Sequence, residues 1–240
     1  KVRRIKTTLE NNWEPNIEQI QDVINSNTKM IVLNYPNNPT GKILPKKLQD
    51  DIVDIARKND LYILSDEIYS EYSFSNWESI LSYGYKKSIV TQSFSKSYAM
   101  TGYRIGYVIA DQVLIDKMAS LQALAITNVS EPIQYVALQA LNADISNNKK
   151  MVKSKIDLLV EKSKELGLQF VKPDGAMYIF AKIKDDFNST QFVFNLLDDG
   201  VALAPGEGFG DYKNFVRITA IQDEKRLIEG LSLIKKRLDE

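Results

Sequence analysis

Apolar residues along the chain recur with two different periods. Four short runs rich in β-branched and aliphatic residues, Met30 to Asn34, Leu61 to Ser65, Ser88 to Gln92 and Tyr103 to Ala110, have the composition of buried strands. Between the first two, Leu48, Ile52, Ile55 and Ala56 fall at i, i+4, i+7 and i+8, so a helix there turns one apolar face towards a sheet. Strand, helix and strand in that order predict a parallel crossover unit, and the first part of the chain reads as α/β. Helical periodicity continues from Gln112 to Ala143.

A long helix follows from about Asn148 to Leu166, with Val152, Ile156, Leu159 and Val160 on one stripe and Gly167 placed to end it in a left-handed cap. After it the pattern changes. Short strands at Gln169 to Val171, Ala176 to Lys182 and Phe215 to Ile221, with helices near Thr190 to Leu197 and Asp223 to Leu238, predict a smaller α+β domain. The division expected is a large domain over 1–147 and a small one over 148–240 that includes the long helix. No internal repeat, low-complexity tract or flexible linker interrupts this order.

Composition narrows the chemistry. The 240 residues are 44% hydrophobic, enough for a sizeable core, and 31 basic side chains balance 31 acidic ones. A zero net charge supplies no overall field to recruit nucleic acid or an anionic membrane, and neither partner is expected. The run Lys235-Lys236-Arg237 reads as the solvated last turn of a helix. With neither Cys nor His, the chain has no disulfide framework, no thiol nucleophile, no Ser-His triad and no usual zinc ligand set, so no metal is expected. Chemistry must rest on Lys, Tyr, Asp, Glu, Arg or a cofactor. No apolar run is long enough to span a membrane, and Lys1-Val2-Arg3-Arg4 leads into polar residues; a cytoplasmic location is the expectation.

Three local motifs carry candidate chemistry. Asn34-Tyr35-Pro36-Asn37-Asn38-Pro39-Thr40-Gly41 lies between a strand and a helix, where open parallel sheets gather ligands, yet its residues are also ordinary turn formers. Ser65-Asp66-Glu67-Ile68-Tyr69 ends a strand. Its two carboxylates are adjacent and therefore point to opposite faces, which argues against a shared metal or an acid-base pair and leaves one of them structural. Ser93-Phe94-Ser95-Lys96-Ser97-Tyr98, with Arg104 eight residues after Lys96, combines hydroxyls and a forked cation suited to phosphate with a lysine that a shielded pocket could make nucleophilic.

Taken in order, Asn-Pro-Thr-Gly, Asp-Glu-Ile-Tyr and Ser-Phe-Ser-Lys with its following arginine resemble the fold type I aminotransferases of class I/II, the group related to aspartate aminotransferase. The likeness continues through Pro173-Asp174-Gly175-Ala176-Met177-Tyr178, Ala204-Pro205-Gly206 and Val216-Arg217-Ile218, and so covers nearly the whole chain. The resemblance implies a mostly parallel large-domain sheet with flanking helices, incomplete at its N-terminus, plus a smaller C-terminal α+β domain. It implies pyridoxal 5'-phosphate held as an imine on Lys96, which would also move the substrate proton. Asp66 would pair with the pyridine nitrogen, and Asn38 and Tyr69 would bond the ring oxygen. Ser93, Ser95 and Arg104 would hold the phosphate, and Arg217 the substrate carboxylate.

Further implications are a cis Asn38-Pro39 bond, amino-acid and 2-oxo-acid substrates, and a site completed in a homodimer. The chief departure from the family pattern is at the start, where the family's N-terminal arm, further strands and a stacking aromatic have no counterpart before Lys1. Carbon-sulfur lyases share these motifs, some transcriptional regulators carry an aminotransferase-like domain, and a fragment unable to retain cofactor is a third alternative.

Overall fold

The computed structural model describes residues 1–240. A short helix, α1 (Ile17–Val23), is started by Asn16, whose side chain accepts the free amide of Gln19. The chain then alternates β1 (Met30–Asn34), α2 (Lys46–Lys58), β2 (Tyr62–Asp66), β3 (Ser88–Ser93), α3 (Phe94–Ser97) and β4 (Gly106–Ile109). These strands form one sheet in the order β1-β2-β3-β4. The first three are parallel and β4 is antiparallel to β3, so the α/β reading and the mostly parallel sheet both hold. The amphipathic face expected of the first crossover helix is present, with Ile52, Val53, Ile55 and Ala56 of α2 buried against Leu33, Ile63 and Val90.

Not all four strands are buried. β2 and β3 lie centrally, whereas the edge strands expose Met30 and Val32 of β1 and Tyr107, Val108 and Ile109 of β4. Within this chain each of these two strands has a neighbour on one side only, which leaves those residues uncovered. The fourth strand is also shorter than its apolar run. Thr101–Tyr103 form a 3-10 turn and Arg104 adopts a left-handed backbone, φ 53°, which resets the chain so that pairing begins at Gly106.

The helical stretch after β4 divides into α4 (Gln112–Ile126) and α5 (Glu131–Leu141), separated at Thr127, φ 65°, with Pro132 in the first turn of α5 where its missing N–H costs nothing. The long helix is α6 (Ser146–Glu165). It buries Val152, Ile156, Leu159 and Val160 and gives way to Gly167 at φ +74°, as its periodicity predicts. The strand expected over Gln169 to Val171 reduces to a single bridge between Gln169 and Lys182. Pro173 lacks a ladder donor, and the chain turns there to meet the loop after β1.

The remaining elements are β5 (Tyr178–Lys182), α7 (Ser189–Asp198), β6 (Ala204–Pro205), β7 (Phe215–Thr219) and α8 (Glu224–Asp239). An antiparallel sheet ordered β5-β7-β6 packs against α6, α7 and α8 through a second hydrophobic cluster that includes Leu159, Ile179, Leu196, Val216 and Ile234. Trp13, far away in sequence, inserts among Phe180, Tyr212 and Phe215 with ring centroids 5.3–5.5 Å apart. No helix is long and apolar enough to cross a membrane.

The two sheets meet where the loop after β1 docks on the turn before β5. The Gly41 carbonyl accepts the amides of Asp174 and Gly175, each at 2.8 Å, and Lys42 pairs with Asp174. Gly41 is left-handed, φ +70°, and a Cβ placed on it would lie 2.4 Å from Cβ of Pro173. Gly41→Ala therefore combines backbone strain with a collision against a rigid ring, and should cost about 1–3 kcal/mol. The urea midpoint measures this; an unchanged midpoint would mean that the docked loops part freely.

Candidate active site

The site begins with strand register. Asn34, Asp66 and Thr91 are direct neighbours across β1, β2 and β3, so their side chains share a row at the C-terminal ends of three parallel strands. Asn34 Nδ2 donates to Asp66 Oδ2 at 2.9 Å and Thr91 Oγ1 donates to Asp66 Oδ1 at 3.1 Å. No lysine or arginine pairs with this carboxylate within the chain, although it is already oriented by two neutral donors.

Glu67 points the other way, as alternation along a strand requires. It is fully buried, and its Oε1 accepts from Ser65 Oγ at 2.9 Å and from the Ile80 amide at 3.0 Å. Its Oε2 has no partner. Burial raises its pKa above the ordinary 4.5, against smaller opposing effects from its donors. The stability linked to this group is therefore fully present below the unfolded value near 4.5 and is lost as pH rises through the higher folded value. Glu67→Gln should flatten that decline, read as urea midpoints of both proteins from acid to neutral pH. Parallel profiles would contradict it.

From Asp66 a chain of contacts runs across to the second sheet. Asn34 Oδ1 accepts the Asn38 amide at 3.0 Å, and Asn38 Oδ1 accepts from Arg217 Nη1 at 2.8 Å. Arg217 projects from β7, and its guanidinium carbon lies 4.4 Å from the ring centre of Tyr178 and 5.1 Å from that of Phe209. No carboxylate pairs with it, and its buried Nε has no partner. Tyr178 opens β5, and its hydroxyl lies 2.6 Å from that of Tyr69, three residues beyond Asp66. Tyr69 is only 2% exposed; burial, and then the bond with Tyr178, raise its pKa. The bonds Tyr35-Pro36 and Asn38-Pro39 are both cis.

Lys96 comes from the one-turn helix α3 directly after β3. Ser93 caps that turn by accepting the Ser95 amide at 3.1 Å, and Thr101 Oγ1 donates to the Ser95 carbonyl at 2.9 Å. Arg104 Nη1 donates to the Thr101 carbonyl at 2.9 Å, so Ser93, Ser95 and Arg104 gather about one turn without touching through their side chains. Tyr72 Oη reaches the Lys96 carbonyl at 3.1 Å, tying the turn to the segment after Asp66. Lys96 is half-buried, and its ammonium has neither a salt bridge nor a protein acceptor.

Asp66, Asn38, Arg217 and Tyr69 are thus joined in one network, while Lys96 is attached through its backbone and Ser93, Ser95 and Arg104 form an adjoining turn. Asn34 and Tyr178 lie inside motifs quoted from the sequence but were given no role there, and Thr91 and Phe209 were not singled out. Strand register points to Asn34 and Thr91 once pairing is known; nothing in the chain order announces Phe209.

A mostly parallel α/β sheet with a lysine turn at its rim, joined to a small antiparallel sheet that supplies an unpaired arginine, defines the class: a fold type I transferase architecture. Residues 1–231 match the family described as aminotransferase class I and II, and the chain belongs to that family. It is 33% identical to an aspartate aminotransferase of Thermotoga maritima over 238 residues, 98% of this chain and 62% of that protein. It is 36% identical to an aspartate aminotransferase of Thermococcus kodakarensis over 239 residues, 99% of this chain and 63% of that protein. The crystal structure of the Thermotoga maritima enzyme superposes with a TM-score of 0.95 at 32% identity, covering all of this chain and 64% of the other. The chain therefore spans somewhat less than two thirds of these relatives. Pyridoxal 5'-phosphate is the cofactor of the family.

Proposed function

We propose that this protein transfers an amino group from an L-amino acid to a 2-oxo acid, using pyridoxal 5'-phosphate attached to Lys96. The observation that carries the reading is that Asp66 at the end of β2, Lys96 in the turn after β3 and Arg217 on β7 each lack an oppositely charged partner in the protein. A cofactor with a pyridine nitrogen and an aldehyde, together with a carboxylate substrate, supplies the missing complement to each. The residues present therefore fit the group. When bound, it acts as an electron sink for the charge left at the substrate's Cα.

Asp66, held by Asn34 and Thr91, would keep the pyridine nitrogen protonated, and its two neutral donors orient the carboxylate without cancelling its charge. Asn38 and Tyr69 would donate to the ring oxygen. Ser93, Ser95 and Arg104 would hold the phosphate, with Arg104 swinging from the Thr101 carbonyl to present its fork. Lys96 Nζ, freed from the cofactor by the incoming amino acid, would take the proton from the substrate's Cα and hand it to the cofactor's C4′ carbon, on the other side of the amino nitrogen. Arg217 would clamp the α-carboxylate, exchanging the Asn38 amide for a charged acceptor.

The same reading divides the chain into a cofactor-binding part, 1–147, and a smaller part, 148–240. Two separate hydrophobic clusters, with α6 contributing chiefly to the second, support it. It also carries a homodimer and a cytoplasmic location.

The test is reconstitution with pyridoxal 5'-phosphate, borohydride reduction and mapping of the modified lysine. It is followed by amino-group transfer from a panel of L-amino acids to 2-oxo acids, starting with L-aspartate. An adduct on Lys96 together with oxo acid formed only in the presence of an acceptor is expected. Oxo acid released without an acceptor would replace transfer by elimination, and an adduct elsewhere would remove the assignment.

A further inference from the structure

Tyr178 has two contacts that belong to different parts of the proposed reaction. Its hydroxyl is 2.6 Å from Tyr69 Oη, and its ring face carries the Arg217 guanidinium at 4.4 Å. Tyr178 is 4% exposed and opens β5, with its backbone paired to Thr219 and its carbonyl packed beside Gly41. The two phenol rings meet edge to face, 82° apart, with centroids at 5.6 Å. Neither the ring nor the hydroxyl has room to wander.

Proton counting gives the arrangement a direction. Each phenol carries one proton, and the Tyr178 hydroxyl has no other hydrogen-bond partner in the protein. If Tyr69 spends its proton on the cofactor's ring oxygen, the proton in the phenol pair must come from Tyr178. A hydroxyl that accepts one hydrogen bond becomes a stronger donor of its own, so the donation from Tyr178 strengthens that from Tyr69. The cation over the Tyr178 ring draws on the same electron density and is modulated by whatever binds the guanidinium.

Resting on the proposed transfer reaction, we infer that Tyr178 is a positioning residue. It aims the Tyr69 hydroxyl at the cofactor's ring oxygen and makes that hydrogen bond respond to a carboxylate on Arg217. Occupation of Arg217 by a carboxylate neutralises the cation, weakens Tyr178 as a donor and so relaxes the bond from Tyr69. Tyr178 touches neither substrate nor cofactor in this account; it acts through its two neighbours.

The experiment is a pH titration of the visible absorption of the protein loaded with pyridoxal 5'-phosphate, with and without succinate, for wild type, Tyr178→Phe, Tyr69→Phe and the double variant. A donor to the ring oxygen lowers the proton affinity of the group conjugated with it. Tyr178→Phe should therefore raise the midpoint by about 1 pH unit, the size of one hydrogen bond, while keeping attachment at Lys96. Tyr69→Phe should raise it at least as far. Adding Tyr178→Phe to Tyr69→Phe should change nothing more, because the relay is already cut. The succinate-induced shift of the wild type should shrink in either single variant.

A Tyr178→Phe midpoint equal to wild type, or single effects that add in the double variant, would overturn the inference. Should Tyr178→Phe not fold, the succinate shift in Tyr69→Phe decides alone: a shift as large as in wild type rejects the relay. Absence of a Lys96-bound chromophore in the wild type itself would defeat the transfer reading, and this inference with it.

Discussion

Replacing Lys96 by alanine should abolish the borohydride-stable adduct and lower amino-group transfer by at least about 10²- to 10⁴-fold, the loss of one positioned proton carrier. The same substitution should leave the fold nearly untouched, within about 0.5 kcal/mol, because the Lys96 ammonium makes no hydrogen bond or salt bridge within the protein and alanine suits a helical turn. The combination is diagnostic. A residue kept for packing loses stability and activity together, whereas Lys96 should lose only chemistry. Mass spectrometry of the reduced protein and a urea melt measure the two halves, and an adduct that simply moves to another lysine at unchanged rate would refute the role.

The second large effect is expected at Arg217. A guanidinium that presents two parallel donors to a carboxylate contributes about 1.5–3 kcal/mol per charged hydrogen bond. Arg217→Ala should therefore weaken binding of a simple carboxylate such as succinate by about 10²-fold or more. Arg217→Lys should recover only part of this, since an ammonium keeps the charge but loses the fork and the flat face that rests on Tyr178 and Phe209. Both variants also remove the donor to Asn38 Oδ1, which in this structure is Arg217 Nη1. Titration of the loaded protein with succinate reads the dissociation constant directly. Equal affinity in wild type and Arg217→Ala would move the carboxylate site elsewhere.

On the proposed reading, the charges unpaired in the protein find their complement when cofactor and substrate bind. Arg217 Nε is buried without a partner, and Asp66 is satisfied only by neutral donors. Buried polar groups left in this state cost free energy that a complementary ligand restores. Lys42 and Asp174, by contrast, pair with each other and help to fix the cleft wall.

The α/β beginning, the amphipathic crossover helix and the long α6 were legible in the amino-acid sequence, whereas Lys96, Asp66, Asn38 and Arg217 are named as site residues only through the resemblance to the aminotransferases. The three elements rest on local information, a repeat period or a helix-ending glycine. The same alternation separated Asp66 from Glu67, since neighbours on a strand cannot share a face. Period and composition could not tell which strands lie at the edges of the sheet within this chain, where β1 and β4 leave apolar residues exposed. They could not show that Gln169 to Val171 forms one bridge instead of a strand, or that Trp13 packs 167 positions away against Phe180 (180 − 13).

What only the tertiary structure decided is which distant side chains meet. Asn34 and Thr91 reach Asp66 because parallel register puts all three in one row, and register is a property of paired strands, not of either strand alone. Tyr178 meets Tyr69, and Arg217 meets Asn38, because the docked loops at Gly41 and Asp174 bring two sheets together. The motifs, through their resemblance to the family, name candidate groups; packing between chain segments more than a hundred residues apart determines that Tyr69 meets Tyr178 and that Asn38 meets Arg217.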